Sequence, residues 1–395
     1  MVHPILASQL PTALSPSAMN NSQPQQSPQV NQTSNTPFKP VFFFVLFLLI
    51  GLAVIFVVVN RPAAEPVTFR NPLNPSYGSD PWLVYYEGNY YLAATTWSAL
   101  SEPGLTMKSA PTIQELKEAS PVSIYTDSDP SRCCNFWAPE FFLLDGPNGP
   151  RWYFYYSGGP SNCCDGQRMH VLESEGTDPM GPYTYKARLH DSIDGWAIDH
   201  TVLELNDSLY LLFSAWHFSN QNIYIVPVSD PWTISGDRVL ISTPDYAWEK
   251  QDGRVNEGPE VLQHDGQTFI IYSASACWGP NYKLGMLTYT GGDPLQADSW
   301  SKSPEPVFQA ENGVYGPAHN GFFKSPDGTE DWLVYHANDS RFDGCDTNRT
   351  TRIQKFTWNS DGTPNFGSPL PLDTDIPVPA KDRTFWDRAF AIISE

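Results

Sequence analysis

Basic side chains are scarce in this sequence of 395 residues. It contains 23 Lys and Arg against 43 Asp and Glu, which gives a formal net charge of -20 at pH 7. Nucleic acids and anionic lipid surfaces are polyanions that select Lys and Arg, so we expect neither as a partner. A neutral ligand such as a sugar is compatible with this charge.

The composition also leaves little room for long helices. The 37 Pro and 27 Gly are typical of a chain with many turns. With 41% hydrophobic and 14% aromatic residues, the chain can nevertheless bury a large core. One β-rich domain is enough to account for the length.

Asp, Glu, Lys and Arg are absent from the first 38 positions, which are rich in Ser, Pro, Gln and Asn. This composition predicts a disordered tail over residues 1–40. Residues 41–59 then have no polar side chain, and a helix of that length spans ~28 Å, close to the roughly 30 Å hydrocarbon core. We predict a transmembrane helix that acts as a signal anchor. The alternative is a cleaved signal peptide, which would give a secreted protein.

All six cysteines follow the apolar segment. Three N-glycosylation sequons do so as well, at Asn206, Asn338 and Asn348. Both features favour an extracellular or lumenal domain. The adjacent cysteines of Cys133-Cys134 and Cys163-Cys164 allow three arrangements: links between the two pairs, bridges between neighbours, or partly free thiols. Cys277 and Cys345 are the expected third pair.

One hairpin pattern occurs five times after a linker over residues 60–70. Its clearest copy, residues 257–273, has a carboxylate before a short apolar strand, an Asp-Gly turn, and a returning strand of aromatic and β-branched residues. Equivalent positions of the five copies are Pro81, Pro139, His200, Pro259 and Pro317. Their spacings of 58, 61, 59 and 58 residues predict an all-β, five-bladed β-propeller over residues 71–380. Residues 381–395 form a C-terminal extension without an assigned function.

The repeat predicts which side chains meet. In a propeller the inner strands begin around one end of the central channel, so equivalent residues of different blades converge on one pocket. Asp80, Asp199 and Glu257 would bring three carboxylates there, and His319 an imidazole. Hydrolysis of a glycosidic bond needs one protonated and one ionised carboxyl group, and a third carboxylate raises the pKa of the acid by like-charge repulsion.

The order of these motifs resembles glycoside hydrolase family 43, from about Asn71 to Pro379. The resemblance rests on Asp80-Pro81-Trp82, Trp137-Ala138-Pro139-Glu140, Ile198-Asp199, Glu257-Gly258-Pro259 and Gly316-Pro317-Ala318-His319-Asn320. It implies a five-bladed propeller that cleaves arabinofuranosyl or xylopyranosyl linkages with inversion. It also implies that the enzyme requires no cofactor, although many members hold a calcium ion or a water near the histidine that corresponds to His319.

The resemblance further implies a role for each carboxylate. Asp80 matches the general base, Glu257 the general acid, and Asp199 the carboxylate that orients the acid and tunes its pKa. In an inverting enzyme the carboxyl groups of the base and the acid lie roughly 6.5 to 9.5 Å apart. Aromatic side chains near the inner strands are candidates for stacking on sugars, with core packing as the alternative. The candidates are Trp97, Phe136, Trp137, Trp216 and Tyr315.

We expect an exo-acting α-L-arabinofuranosidase that acts on plant-type polysaccharides or oligosaccharides. The exo preference rests on the stretch between Thr95 and Met107, which resembles arabinofuranosidase-like members. Within enzymes, the alternatives are a β-xylosidase or an endo-arabinanase with the same three carboxylates. Outside enzymes, they are a carbohydrate-binding propeller without turnover and a propeller that binds only proteins. The sequence indicates no oligomeric state.

Overall fold

The structure, a computed structural model, describes residues 67–96 and 104–382. Four predicted segments lie wholly or largely outside these ranges: the tail at 1–40, the apolar segment at 41–59, the linker at 60–70 and the extension at 381–395. In the two described ranges no helix is both long enough and apolar enough to span a bilayer. The predicted transmembrane helix is outside them and stays a prediction.

A short strand β1 (Thr68–Phe69) precedes five antiparallel sheets, called blades I to V. Blade I contains β2 (Trp82–Tyr86), β3 (Asn89–Ala93), β4 (Leu105–Ala110) and β5 (Val122–Tyr125). Blade II contains β6 (Cys134–Gly146), β7 (Gly149–Gly159), β8 (Arg168–Ser174) and β9 (Tyr183–Leu189). Blade III contains β10 (Ile198–Leu205), β11 (Ser208–His217), β12 (Asn220–Asp230), β13 (Thr233–Ile234) and β14 (Val239–Ser242).

Blade IV contains β15 (Glu257–His264), β16 (Gln267–Ala274), β17 (Lys283–Tyr289) and β18 (Trp300–Lys302). Blade V contains β19 (Tyr315–Lys324), β20 (Asp331–Asn338), β21 (Thr350–Trp358) and β22 (Pro364–Asn365). A final strand β23 (Ile376–Pro377) follows. The described helices are α1 (Ile113–Glu118) and two 3-10 turns at Ala247–Lys250 and Ala297–Ser299.

The first strands of the blades form a closed ring. In the order β2, β6, β10, β15 and β19, each first strand contacts the next, and β19 returns to contact β2. The predicted five-bladed β-propeller is therefore confirmed. The tight turns of the repeat explain the hairpins: Asp265 and Gly266 between β15 and β16 have φ angles of 46° and 78°. Two consecutive left-handed residues are typical of the type I′ turn, whose twist matches that of the flanking strands.

The hydrophobic core consists of five clusters, each between two neighbouring blades. Between blades I and II, for example, Trp82 packs on Phe142 with 4.9 Å between ring centroids, and both lie in the cluster at this interface. Burial of a large apolar side chain contributes about 1.5–3 kcal/mol. Because all five interfaces are packed in this way, the inner strands have fixed positions relative to one another.

The ring closes through the N-terminal segment of the propeller. Strand β1 pairs with β23, and the side chain of Asn71 bonds to both backbone groups of Ile353 in β21, at 2.9 and 3.0 Å. Farther along, the N–H of Gly78 donates to the carbonyl of Arg349 at 2.9 Å. This pairing holds the start of blade I against the third strand of blade V, and it brings Asp80 close to side chains of blade V.

Candidate active site

A left-handed backbone residue marks the start of the inner strand in every blade. These residues are Asp80, Ala138, Asp199, Gly258 and Gly316, with φ angles of 52°, 44°, 56°, 51° and 57°. In blades II to V the strand pairing also shifts register beside them. Such bulges redirect side chains, and Asp tolerates the left-handed conformation better than most residues. In blades I and III the carboxylate itself occupies the redirected position.

Hydrogen bonds between neighbouring blades hold these turns in place. Each uses a backbone N–H at the start of one blade and a side chain at the end of the preceding blade's second strand. The pairs are Ala138 to Thr95 (2.9 Å), Asp199 to Ser157 (3.1 Å), His319 to Ser273 (2.9 Å) and Asp80 to His336 Nδ1 (3.1 Å). These accepting side chains occur at the same place in successive blades. The second strands therefore carry a repeat of their own, in addition to the repeat at the strand starts.

One cavity of about 370 Å³ lies where these strand ends meet. Asp80, Asp199, Glu257 and His319 all line it, together with side chains that the sequence analysis did not identify. These additional side chains include Thr95, Gln221, Tyr282 and Arg349. Side chains from positions 80 to 349 thus reach a single hollow, because each blade contributes the end of its inner hairpin.

Asp80 is held by three basic side chains and one hydroxyl group. Its Oδ1 lies 3.3 Å from Arg349 Nη1, from His319 Nδ1 and from His336 Nδ1, and its Oδ2 accepts a hydrogen bond from Thr95 Oγ1. Burial alone would raise the pKa of Asp80, but its three neighbours, His319, the guanidinium of Arg349 and His336, hold that pKa far below its ordinary value.

The permanent positive charge beside Asp80 comes from Arg349. Burial lowers the pKa of His319, and it lowers that of His336 to about 3, so both imidazoles are neutral near pH 7. Arg349 is 4% exposed, and a guanidinium remains charged throughout the ordinary pH range. The buried guanidinium of Arg349 therefore keeps Asp80 ionised.

The pKa of Glu257 is shifted in the opposite direction, upward. Burial raises its pKa to about 7, and the charge of Asp80 adds to this, although hydrogen bonds from Tyr282 and Gln221 oppose the shift. Gln221 Nε2 donates to Glu257 Oε2 at 2.8 Å. Two carboxyl groups with opposite protonation preferences thus line one cavity.

Asp199 belongs to blade III, next to blade IV, which carries Glu257. The backbone N–H of Gly258, next to Glu257, donates to Asp199 Oδ2 at 3.1 Å. Burial, followed by the charges of Glu257 and Asp80, raises the pKa of Asp199 well above its ordinary value. The surroundings of Asp199 therefore favour its protonated form. The hydrogen bond from Gly258 also fixes the backbone from which Glu257 projects.

A second pair of carboxyl groups, Glu140 and Glu260, lies within the inner strands β6 and β15 and does not line the cavity. Burial raises the pKa of Glu140 to about 7 against its hydrogen bonds with Glu260 and Thr201. Burial and the charge of Glu140 raise the pKa of Glu260 well above its ordinary value. Glu140 and Glu260 form a hydrogen bond with each other inside the inner strands.

The aromatic candidates differ in their positions. Trp137 and Trp216 line the cavity, and Trp216 is 43% exposed. Phe136 does not line it: the ring is fully buried and packs on Tyr156 at 5.5 Å, so the prediction that Phe136 contacts sugar is wrong because the ring forms part of the core. Tyr315 begins β19 and is not among the cavity's lining residues. Trp97 lies outside the described residues.

The donor set around His319 does not fit a calcium ion. Calcium takes six to eight oxygen ligands, whereas His319 offers nitrogen, and its Nδ1 already faces Asp80. In residues 67–96 and 104–382 no three His, Cys, Asp or Glu side chains form a group that could hold a metal. The calcium site therefore stays a prediction of the resemblance, and no step below depends on it.

The structure bonds Cys277 to Cys345, with 5.1 Å between their Cα atoms, and thereby links blades IV and V. It places the other four cysteines in bridges between neighbours, one of the arrangements that the sequence left open. Among the sequons, Asn206 and Asn348 are exposed. Asn338 is 3% exposed and donates to the carbonyl of Gly344. The folded domain therefore offers no room for a glycan on Asn338, and that part of the prediction is wrong.

Comparison with known proteins assigns this site to a family. Residues 69–364 match the model of glycosyl hydrolases family 43. An extracellular exo-α-(1→5)-L-arabinofuranosidase of Streptomyces avermitilis is 38% identical over 341 residues, covering 83% of this chain and 69% of that protein. Alpha-L-arabinofuranosidase 43 of Humicola insolens is 37% identical over 322 residues, covering 77% and 64%.

A solved structure agrees with these relatives. The crystal structure of α-L-arabinofuranosidase from Lactobacillus brevis superposes with a TM-score of 0.70 at 35% identity, and the alignment covers 78% of this chain and 98% of that one. The shared propeller, the extent of the family match and the identity to curated relatives agree with one another. This chain belongs to glycosyl hydrolases family 43, and its propeller is a glycosidase domain that hydrolyses glycosidic bonds.

Proposed function

We propose that this domain is an inverting, exo-acting α-L-arabinofuranosidase in which Asp80 is the general base and Glu257 the general acid. One observation carries the assignment of roles. Asp80 and Glu257 line the same cavity, yet their surroundings favour opposite protonation states. Glycosidic hydrolysis requires this division between an ionised and a protonated carboxyl group.

In the proposed reaction, Asp80 takes a proton from a water molecule as that water attacks the anomeric carbon. Glu257 donates its carboxyl proton to the glycosidic oxygen as the bond to the leaving sugar breaks. The transition state has oxocarbenium character, and the water arrives on the face opposite the leaving group. The configuration at the anomeric carbon therefore inverts, and no covalent enzyme intermediate forms.

We propose that Asp199 positions the acid. Its side chain accepts the N–H of Gly258, the residue directly after Glu257. Arg349 and Thr95 would position the base in the same way, through their bonds to the two oxygens of Asp80. His336 completes this support by accepting the backbone N–H of Asp80.

The proposed pH dependence follows from the two carboxyl groups. Glu257 must be protonated, so kcat/KM should fall about tenfold per pH unit as the pH rises above about 7, where its folded-state pKa lies. Asp80 must be ionised, and its depressed pKa keeps it so in mildly acidic solution. We expect a nearly flat profile between about pH 5 and 6. Activity that rises with pH through 7 would contradict the assignment of the acid.

A variant of Arg349 tests the other limb of this profile. In Arg349→Gln the positive charge beside Asp80 is lost, so the pKa of Asp80 should rise and activity should decline toward low pH. Lys355→Gln, in the strand that follows Arg349 and half exposed, is the control and should leave the profile unchanged. An unchanged acid limb in Arg349→Gln would show that Arg349 does not hold Asp80 ionised.

The preference for arabinofuranose is supported by the relatives, whose names record that activity. The test is hydrolysis of linear arabino-oligosaccharides, an aryl α-L-arabinofuranoside and an aryl β-D-xyloside. We expect release of arabinose one unit at a time from the oligosaccharides and little action on the xyloside. Internal cleavage would indicate an endo-arabinanase, and binding of arabinan without hydrolysis a carbohydrate-binding propeller.

We also propose that the domain acts outside the cytosol on plant-type polysaccharide, attached to a membrane by residues 41–59. The bonded Cys277 and Cys345 and the exposed sequon residues Asn206 and Asn348 agree with an extracellular or lumenal domain. Extraction of membranes with alkaline carbonate tests the attachment. An anchored protein stays in the pellet, whereas one whose apolar segment has been removed appears in the supernatant.

A further inference from the structure

Trp278 combines strong exposure with a fixed position. It lies in the segment between β16 and β17, lines the cavity, and is 54% exposed, whereas Asp80 and Glu257 are 9% and 8% exposed. The indole therefore stands where the cavity opens to solvent, whereas the two carboxyl groups are buried. An aromatic ring of this exposure must be held by its surroundings if it is to keep one orientation.

A hydrogen bond, packing on a glycine and a neighbouring disulfide hold the Trp278 ring in place. The indole Nε1 donates to the carbonyl of Asp252 at 2.7 Å. The Asp252 side chain in turn accepts from the backbone N–H and the side-chain amide of Asn281, at 2.8 and 3.0 Å. A Cβ added to Gly253 would come within 2.5 Å of the Trp278 ring, so the ring packs directly on glycine backbone.

The third feature is covalent. Cys277, the residue before Trp278, is bonded to Cys345 of blade V, and both cysteines line the cavity. Next to Cys345, a Cβ on Gly344 would lie 3.1 Å from the Trp278 carbonyl oxygen. The two loops are therefore in close contact as well as bridged. A side chain tied in this way loses little conformational entropy when a ligand binds to it.

We propose that Trp278 is the stacking platform for the sugar that leaves, next to the bond that is cleaved. This inference rests on the proposed function, which puts the terminal arabinofuranosyl unit in the interior of the cavity between Asp80 and Glu257. The following sugar then lies at the mouth. The apolar C–H face of a furanose ring packs on an indole, which presents a large rigid surface at low entropic cost. Trp278 thereby selects a saccharide, rather than a small alcohol, as the leaving group.

Binding can be measured without turnover in a Glu257→Gln background. We expect Trp278→Ala to weaken the binding of arabinotriose about tenfold by calorimetry, which corresponds to about 1.4 kcal/mol. Trp278→Tyr should restore most of the affinity because it keeps an aromatic face. Gly253→Ala should also weaken binding, because its Cβ displaces the indole. Phe342→Ala is the control: this ring is 91% exposed, lies outside the cavity lining, and should not matter.

Kinetics in the otherwise native enzyme separate a leaving-sugar site from general damage. Trp278→Ala should raise KM for arabinotriose and leave kcat/KM for methyl α-L-arabinofuranoside within about twofold, since the methyl group does not reach the indole. Equal losses on both substrates, or unchanged binding of arabinotriose, would overturn the inference. If the parent enzyme cleaves neither substrate, the proposed function itself fails, and the two failures are therefore distinguishable.

Discussion

Glu257→Gln should lower kcat/KM on arabino-oligosaccharides about a thousandfold, within the usual contribution of a general acid. Glutamine keeps the hydrogen-bonding shape of the side chain but carries no transferable proton, so the sugar alkoxide would have to leave unassisted. An aryl arabinofuranoside with a good leaving group needs less protonation. For that substrate we expect a loss of only about tenfold. Steady-state kinetics on the two substrates measures the difference.

The matched control is Glu260→Gln, three residues later in the same strand. Glu260 is equally buried, has a raised pKa, and does not line the cavity. Glutamine retains a hydrogen-bonding partner for Glu140, so activity should stay close to that of the parent. If Glu260→Gln showed the dependence on leaving group and Glu257→Gln did not, the acid would have been assigned to the wrong residue of β15.

Asp80→Asn should lower turnover by about a thousandfold or more on both kinds of substrate. The water must be activated whichever group leaves, so the loss should not depend on the leaving group. This pattern separates a general base from the general acid. Asp207→Asn is the control, because Asp207 also has a left-handed backbone, with φ of 58°, but lies exposed in the turn between β10 and β11. It should behave like the parent.

The substitution also removes the carboxylate that bonds to Arg349, so folding must be checked by circular dichroism. A second variant, Asp80→Ala, makes room for a small anion. Added azide should then attack the anomeric carbon directly, forming a carbon–nitrogen bond as the aryl leaving group departs, and restore part of the turnover. Recovery of activity with azide would show that the fold is intact. A folded Asp80→Asn enzyme with near-normal turnover would exclude Asp80 as the base.

The repeat made the propeller and the convergence of the carboxylates predictable from sequence. Five hairpins at a nearly constant spacing determine which residues begin each inner strand, and those residues meet wherever the ring closes. Asp80 and Glu257 were accessible to this reasoning because Pro81 and Gly258 stand next to them at the strand starts. Asp199 was accessible through its place in the same repeat, directly before His200. The spacing alone did not show that the starts are left-handed, which is what turns the carboxylates of blades I and III toward the cavity.

The supporting side chains were not predictable in the same way. Arg349 reaches Asp80 only because the segment after Asn71 lies along β21, and no short motif records that pairing. His336 occupies the position that holds Ser157 and Ser273 in other blades, so a comparison of the second strands would have identified it. Phe136 was misplaced because an aromatic residue near an inner strand is as well suited to an interface between blades as to a sugar.

The most direct test of the paired carboxyl groups is the configuration of the first sugar released. Proton NMR, recorded during the first turnovers on arabinotriose, observes the new anomeric centre before mutarotation mixes the two forms. The arrangement of Asp80 and Glu257 as base and acid predicts that β-L-arabinofuranose appears first from the α-linked substrate. Initial release of the α-anomer would require a covalent intermediate and would contradict the proposed roles of both residues.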